Sequence, residues 1–190
     1  MILGITGGTG CGKTTLLNAV WERGGLVLDC DEIYHWLLRT DRDLLDAIGK
    51  RFQGTVEQGK LDRKKLGTVV FSDETALLDL NRITHGAVKA EVRRRLDAHE
   101  GLAAIDAIAL FESGLAEICD TTVAVEAPEE ARVARLMARE GISREYAISR
   151  IRAQKGEDFF RGRCDHVLRN DGTIEAFQDE CGRFLDEILD

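Results

Sequence analysis

Residues 4–15 read GITGGTGCGKTT and place Gly7, Gly12, Lys13 and Thr14 at the spacing G-x-x-x-x-G-K-[ST]. An apolar, β-rich run, Ile2–Thr6, precedes this segment, and a stretch with helical spacing follows it. That is the context in which such a loop wraps a phosphate. Glycines let successive backbone N–H groups converge on oxygen without Cβ clashes, and the helix N-terminus adds unsatisfied donors and partial positive charge. Gly8, Thr9, Gly10, Cys11, Gly12, Lys13, Thr14 and Thr15 are therefore expected to bind the phosphates of a nucleoside triphosphate. Lys13 reaches the β- and γ-phosphates, and the Thr14 hydroxyl coordinates Mg²⁺. A chance glycine-rich turn is the alternative, and the register of strand, motif and helix argues against it.

The fate of the γ-phosphate must be read elsewhere, because one fold serves many functions. A GTPase would show an N-K-x-D guanine reader and a D-x-x-G switch; the third apolar strand is instead followed by FESG. The second strand leads into VLDCDEI, which brings Asp29 and Asp31 beyond its carboxyl end. Ligands of open parallel sheets gather there. Period-two alternation puts both carboxylates on one side if the strand persists to Asp31. Asp31 then either caps the next helix or accepts the proton of an attacking hydroxyl; beside a phosphate loop the second role is preferred. Further along, EEARVARLMARE aligns Arg132, Arg135 and Arg139 on one helical face, with Val133, Leu136 and Met137 turned inward. Glu129 accounts for Arg132. Arg135 and Arg139 have no carboxylate three or four residues away and repel one another, so a ligand phosphate would stabilise both. With Arg144, Arg150, Arg152, Lys155, Arg161 and Arg163 they describe a cationic lid, Arg139 first and Arg135 second, closing over the nucleotide. A solvated pair of helices is the bland alternative.

Several elements must position these groups. Five short apolar runs, Ile2–Thr6, Leu26–Cys30, Ala103–Leu110, Thr122–Ala127 and His166–Asn170, alternate with helical segments. That pattern predicts a three-layer α/β fold with a five-stranded parallel sheet. The first helix spans about 13–23, with Leu16, Leu17, Val20 and Trp21 on its inner face and Gly24-Gly25 ending it. Pro128-Glu129-Glu130 starts another helix, Gly141 ends it, and Ser143 caps the next. The chain between 32 and 100 is helical by pattern, without an evident sheet strand, and longer than a crossover needs. It is expected to be an acceptor-binding insertion in a single kinase domain. The core then comprises 1–31, 101–127 and 164–190, with the lid at 128–163.

Composition narrows the classes. The chain has 190 residues, a net charge of −8, one proline and five cysteines. The acidic balance argues against a bulk nucleic-acid partner, and no apolar run reaches the length of a membrane span. The first strand leaves no room for a leader peptide, so a cytoplasmic protein is expected. The cysteines form no C-x-x-C pair, which argues against a disulfide framework or structural zinc. Cys11 stands out because a helix N-terminus lowers a thiol pKa.

Taken in order, these segments resemble the dephospho-coenzyme A kinases. GITGGTGCGKTT is similar to that family's opening loop and VLDCDEI to its D-x-D segment. LDRKKLGTVVF, LNRITH and IDAIALFESGL are similar to its L-x-R-x-x-L-x-x-x-V-F, L-x-x-x-x-H-P and D-x-P-L-L-F-E stretches. RIRAQKGEDFFRGRCDHVLRNDG is similar to its closing R-I-x-x-Q and A-D-x-V-x-x-N-x-G run. The resemblance implies a P-loop kinase with strand order 2-3-1-4-5 that transfers phosphate from ATP, with Mg²⁺, to the ribose 3′-hydroxyl of dephospho-coenzyme A. It implies catalytic roles for Asp31, Lys13 and Arg139, nucleotide contacts for Asn170 and Arg135, and acceptor contacts for Asp29, Asp31, His85, Glu112 and Arg63. Gly86 and Ile108 stand where the family has proline, and Phe160 where many members are basic. Another small-metabolite kinase, of shikimate or nucleoside type, is the runner-up, and a nucleotide-dependent switch without an acceptor is the third reading. No motif addresses oligomeric state.

Overall fold

In the computed structural model, which describes residues 1–189, the chain forms two compact units. One comprises Met1–Leu28 and the chain from His99 onward; the other is Asp29–Ala98.

The first unit is built on strands β1 (Ile2–Thr6), β2 (Leu26–Asp29), β5 (Ala103–Asp106), β6 (Thr121–Glu126) and β7 (His166–Arg169). Their order is β2-β5-β1-β6-β7; counted along these five strands alone it is the expected 2-3-1-4-5. β1 lies between β5 and β6 and runs parallel to both, so its Leu3 and Ile5 are fully buried. Such strands read as continuous apolar runs because both faces are covered. Helix α1 (Lys13–Glu22) and helix α9 (Ile174–Leu189) pack on one another, and Leu16, Val20, Phe177 and Leu185 join Leu3, Val123 and Val125 in one core. Trp21, expected inside, is 70% exposed. The inner face of α1 is Leu16, Leu17, Ala19 and Val20 instead, and Gly24, at φ 77°, turns the chain out of the helix. A smaller core of Val133, Leu136, Ala147 and Ile151 holds α6 (Glu129–Glu140) to α7 (Arg144–Arg152). Met137 also turns outward. Gly141 terminates α6 at φ 65° and Ser143 caps α7 by accepting from Tyr146 N. A short helix, α8 (Glu157–Arg161), precedes β7.

The second unit consists of α2 (Cys30–Thr40), α3 (Arg42–Arg51), α4 (Arg63–Ser72) and α5 (Glu74–Asp97). Each begins on an aspartate, Asp29, Asp41, Asp62 or Asp73, whose carboxylate accepts from amides of the first turn. Such caps stabilise a helix by about 1 kcal/mol apiece. Against expectation this unit carries strands: Val56–Glu57 (β3) and Lys60–Leu61 (β4) pair as a small antiparallel hairpin. Two-residue strands leave no periodicity to read, and only Gly59 and Gln58, both at positive φ, mark the turn. Gly86 lies within an unbroken α5, with open space where a Cβ would point. Among the described residues no helix is long and apolar enough to cross a membrane.

One interaction ties this unit's surface together. Glu91, buried on α5, accepts from Arg94 Nε and Nη2 and from Arg95 Nε at 2.7–2.8 Å. Arg95 in turn lies over the Trp36 ring of α2, 5.3 Å from its centroid. The hydrogen bond from Arg94 and the second from Arg95 hold the Glu91 carboxyl down at about 2, against an opposing push from burial. A carboxyl lowered on folding stabilises the native state above its ordinary range and ceases to do so as pH falls towards 2. Glu91→Gln is therefore expected to cost about 1–3 kcal/mol at neutral pH. The deficit should shrink between pH 5 and pH 2, which urea denaturation across that range would measure.

Candidate active site

The loop after β1 is a problem in hydrogen-bond accounting. A turn that aims its N–H groups at a common point must aim its carbonyls the other way, and buried carbonyls need donors. All six from Gly7 to Gly12 find one. Lys13 Nζ donates to Gly7 O (3.1 Å), Cys11 N to Gly8 O (3.3 Å), and Arg132 Nε to Thr9 O (2.9 Å). Arg135 Nη1 donates to Gly10 O and Cys11 O, both at 3.2 Å. Asn170 Nδ2 also donates to Cys11 O (2.9 Å), and Thr15 N donates to Gly12 O (3.0 Å). Arg135 Nη2 then donates to Asn170 Oδ1 (2.9 Å), which locks the two braces to each other.

On the other side of the loop, the amides of Gly8, Gly10, Gly12 and Thr14 have no acceptor among the described residues. Helix α1 has no side-chain cap and no acid in its first turn, unlike the aspartate-capped helices of the second unit. Its start is left open to an external anion, as a phosphate loop requires. The glycines are dictated by the braces. Gly12 sits at φ 103°, and a Cβ there would stand 2.1 Å from Asn170 Nδ2; one on Gly8 would stand 2.2 Å from Arg132 Nη2.

The register of the sheet fixes what surrounds the loop. Asp106 ends β5 opposite Ile5, and its Oδ1 lies 3.8 Å from Lys13 Nζ. Both side chains are largely buried, so the pair holds Lys13 at the loop's mouth. Glu126 ends β6, is buried, and accepts from Arg161 Nη2 of α8 at 2.6 Å. Asn170 directly follows β7 and its amide donates to Glu126 O. Asp106 opens the D-x-P-L-L-F-E-like segment without a role assigned to it, and Glu126 lies in none of the family-like segments. An acid closing an apolar strand parallel to the phosphate-loop strand is the signal that could have marked them.

Several expectations need correction. Strand β5 stops at Asp106, and 107–114 turn before the short helical turn Ala116–Ile118; Ile108 is fixed there by accepting from Thr6 Oγ1. Strand β2 stops at Asp29, so the alternation that would align Asp29 with Asp31 does not extend so far. Asp29 is the helix cap, its Oδ1 accepting from Asp31 N (2.8 Å) and Glu32 N (3.0 Å). Asp31 lies in the first turn of α2, exposed, its carboxylate without a hydrogen bond among the described residues. Arg132, attributed to Glu129, is buried against the loop, and its Nη2 has no hydrogen-bond partner among the described residues. Arg139, read as lacking a carboxylate partner, donates to Glu140 at 2.6 Å. Sequence separation of three or four misses that pair because the partner is the next residue. The other cations of this segment are also engaged: Arg144 with Glu130, Arg150 with Glu140, Arg152 with Glu129, and Lys155 and Arg163 over Phe159. Phe160, where a basic residue was expected, is buried. Burial pushes the Cys11 thiol up, with Lys13 only partly opposing it, so it is no activated nucleophile.

The remaining candidates are placed as follows. Thr14 is exposed at the second residue of α1 and Thr15 half-buried behind it. Asn170, expected at the adenine, is 5% exposed and spends its side chain on the loop. In the second unit His85 lies half-buried along α5, and Arg63 begins α4 with Nη2 3.3 Å from His35 Nδ1. Glu112 is exposed in the turns after β5.

Comparison with known proteins decides the family. The family described as CoaE: Dephospho-CoA kinase matches residues 1–176. The chain belongs to the dephospho-CoA kinase family. It is 36% identical over 186 residues to the dephospho-CoA kinase of Syntrophotalea carbinolica, covering 95% of this chain and 88% of the relative. The solved dephospho-CoA kinase from Campylobacter jejuni superposes with a TM-score of 0.70 at 26% identity, over 98% of this chain and 96% of that one. A shikimate kinase from Bacteroides thetaiotaomicron shares the fold, with a TM-score of 0.59 at 16% identity over 100% and 98% of the two chains. Within the dephospho-CoA kinase family frame, the braced loop predicts the effect of removing a brace. Arg135→Ala leaves Gly10 O without a donor and should weaken ATP binding about tenfold or more, with a stability loss of about 1–3 kcal/mol. Arg135→Lys should not restore it, since one ammonium cannot reproduce a planar fork serving several acceptors. Calorimetric titration with ATP, beside a thermal melt, measures both.

Proposed function

We propose that this chain transfers the γ-phosphate of ATP to the ribose 3′-hydroxyl of dephospho-CoA, producing CoA. The observation that carries the reading is the loop whose carbonyls are all tied back while a set of its amides stays open to an anion. Membership in the dephospho-CoA kinase family supplies the acceptor, because the loop by itself names only the donor.

In this reading the open amides of the loop over residues 8–14, those of Gly8, Gly10, Gly12 and Thr14, hold the β- and γ-phosphates, and Lys13 neutralises charge on the transferring group. The residues fit a magnesium ion: the Thr14 hydroxyl is exposed at the start of α1, and the Asp106 carboxylate lies beside Lys13. Among the described residues no group of three or more His, Cys, Asp or Glu could hold a metal. That suits an ion bound by one or two protein ligands plus substrate phosphates. Such an ion would draw charge from the β- and γ-phosphate oxygens. Asp31, which Asp29 relieves of capping duty, accepts the proton of the 3′-hydroxyl. The insertion 32–100 binds the acceptor with Asp29, His85 and Arg63, and Glu112 contributes from the turns after β5. Residues 128–163 form the lid. Arg139 exchanges its contact with Glu140 for the transferring phosphoryl, and Arg135 and Asn170 border the nucleotide while holding the loop.

Three measurements test the proposal. A coupled assay should show ATP-dependent turnover of dephospho-CoA; turnover of shikimate or a nucleoside in its place overturns the assignment. Asp31→Asn should lower kcat by about 10²–10⁴ with ATP affinity changed less than about threefold; a kcat within tenfold of wild type would make Asp31 dispensable. Chelation of divalent cations should abolish turnover, and added Mg²⁺ should restore it.

A further inference from the structure

Besides Cys11 N, which bonds within the loop, one further amide of the phosphate loop is not open. Thr9 N donates to Gln154 Oε1 at 2.7 Å, across 145 residues of sequence. Gln154 lies just past the end of α7, in the connection to α8, held by its own amide to Ile151 O. The carbonyl of Thr9 accepts from Arg132 Nε on the other side of the loop. Both grips come from the segment that follows β6, but they differ in kind. A carbonyl cannot bind phosphate, so the Arg132 contact is compatible with a bound nucleotide. The amide is a phosphate donor, and a carboxamide oxygen at 2.7 Å is a neutral stand-in for a phosphate oxygen on it.

We propose that Gln154 is a placeholder, a positioning residue whose carboxamide keeps the Thr9 amide satisfied and aimed until a triphosphate displaces it. Displacement frees the α7–α8 connection from the loop, which couples loading of the nucleotide to movement of the segment 128–163. The inference rests on the kinase reading above. It makes the sign of a mutational effect unusual, since a group that competes with a ligand weakens binding by its presence.

The test compares ATP binding by Gln154→Ala, Gln154→Asn and the wild-type chain, each with a thermal melt to confirm folding. Loss of one competing neutral hydrogen bond should tighten ATP binding about two- to tenfold in both variants, because asparagine is too short to reach Thr9. Gln154→Glu, which sets a carboxylate against the same amide, should weaken ATP binding about tenfold or more. Amide hydrogen exchange at Thr9, followed by NMR, should be slow in the unliganded wild type and fast in unliganded Gln154→Ala. ATP should restore the protection. Unchanged or weaker ATP binding by folded Gln154→Ala and Gln154→Asn overturns the placeholder, since a phosphate ligand or a purely structural residue would give those results. A wild-type chain that binds no ATP sinks the kinase reading and this inference with it. ATP binding by the wild type without tightening in the variants sinks the inference alone.

Discussion

The structure of the first unit follows from one requirement: a backbone turn that offers its amides to an anion must hide its carbonyls, and hidden carbonyls must be bonded. The six consecutive carbonyls of residues 7–12 draw donors from three sources. Lys13 and two amides serve from within the loop and the first turn of α1; Arg132 and Arg135 serve from α6; Asn170 serves from the end of β7. The loop cannot hold its shape without those elements in place. The parallel register of β1 with β6, and of β6 with β7, puts them there.

The same requirement explains where an acidic chain of net charge −8 keeps its cations. A neutral donor could satisfy a carbonyl, but an arginine does so while also placing positive charge behind a phosphate site. Arg135 reaches Gly10 O, Cys11 O and both oxygens of Asn170 with one rigid fork. Buried Arg132 needs compensation that a hydrogen bond to Thr9 O only partly provides. Arg132 lines a small cavity with Gly8, Glu126, Lys155 and Phe160; its Nη2 has no hydrogen-bond partner among the described residues, and Glu126 is paired with Arg161. The exposed arginines farther along the segment are partly offset: Arg144 pairs with Glu130, Arg152 with Glu129, and Arg139 and Arg150 share Glu140.

The second unit obeys simpler rules. Its helices start where an aspartate can cap them, and its long α5 is kept in register with α2 through the Glu91–Arg95–Trp36 contacts. Capping also separates the two aspartates after β2. One carboxylate oxygen of Asp29 is committed to two backbone amides, and Asp31 two residues on carries no such duty. Two acids that look equivalent in VLDCDEI are thus made different by a helix that begins one residue after the strand ends.

The sequence alone determined the phosphate loop, the five parallel strands, the ends of α1 and α6 and the kinase family. All of these rest on local pattern: a glycine spacing demanded by converging amides, apolar runs demanded by double-sided burial, and Gly24 and Gly141 at left-handed positions. Tertiary structure alone decided which charges do what. Arg135, Arg132 and Asn170 serve the loop from more than a hundred residues away in sequence. Arg139 turned to its neighbour, Gln154 found Thr9, and Asp106 and Glu126 met Lys13 and Arg161 only through strand register. Hydrogen-bond partners are chosen by distance in space, and a side chain with four rotatable bonds carries no sequence-periodic signal of the acceptor it will reach.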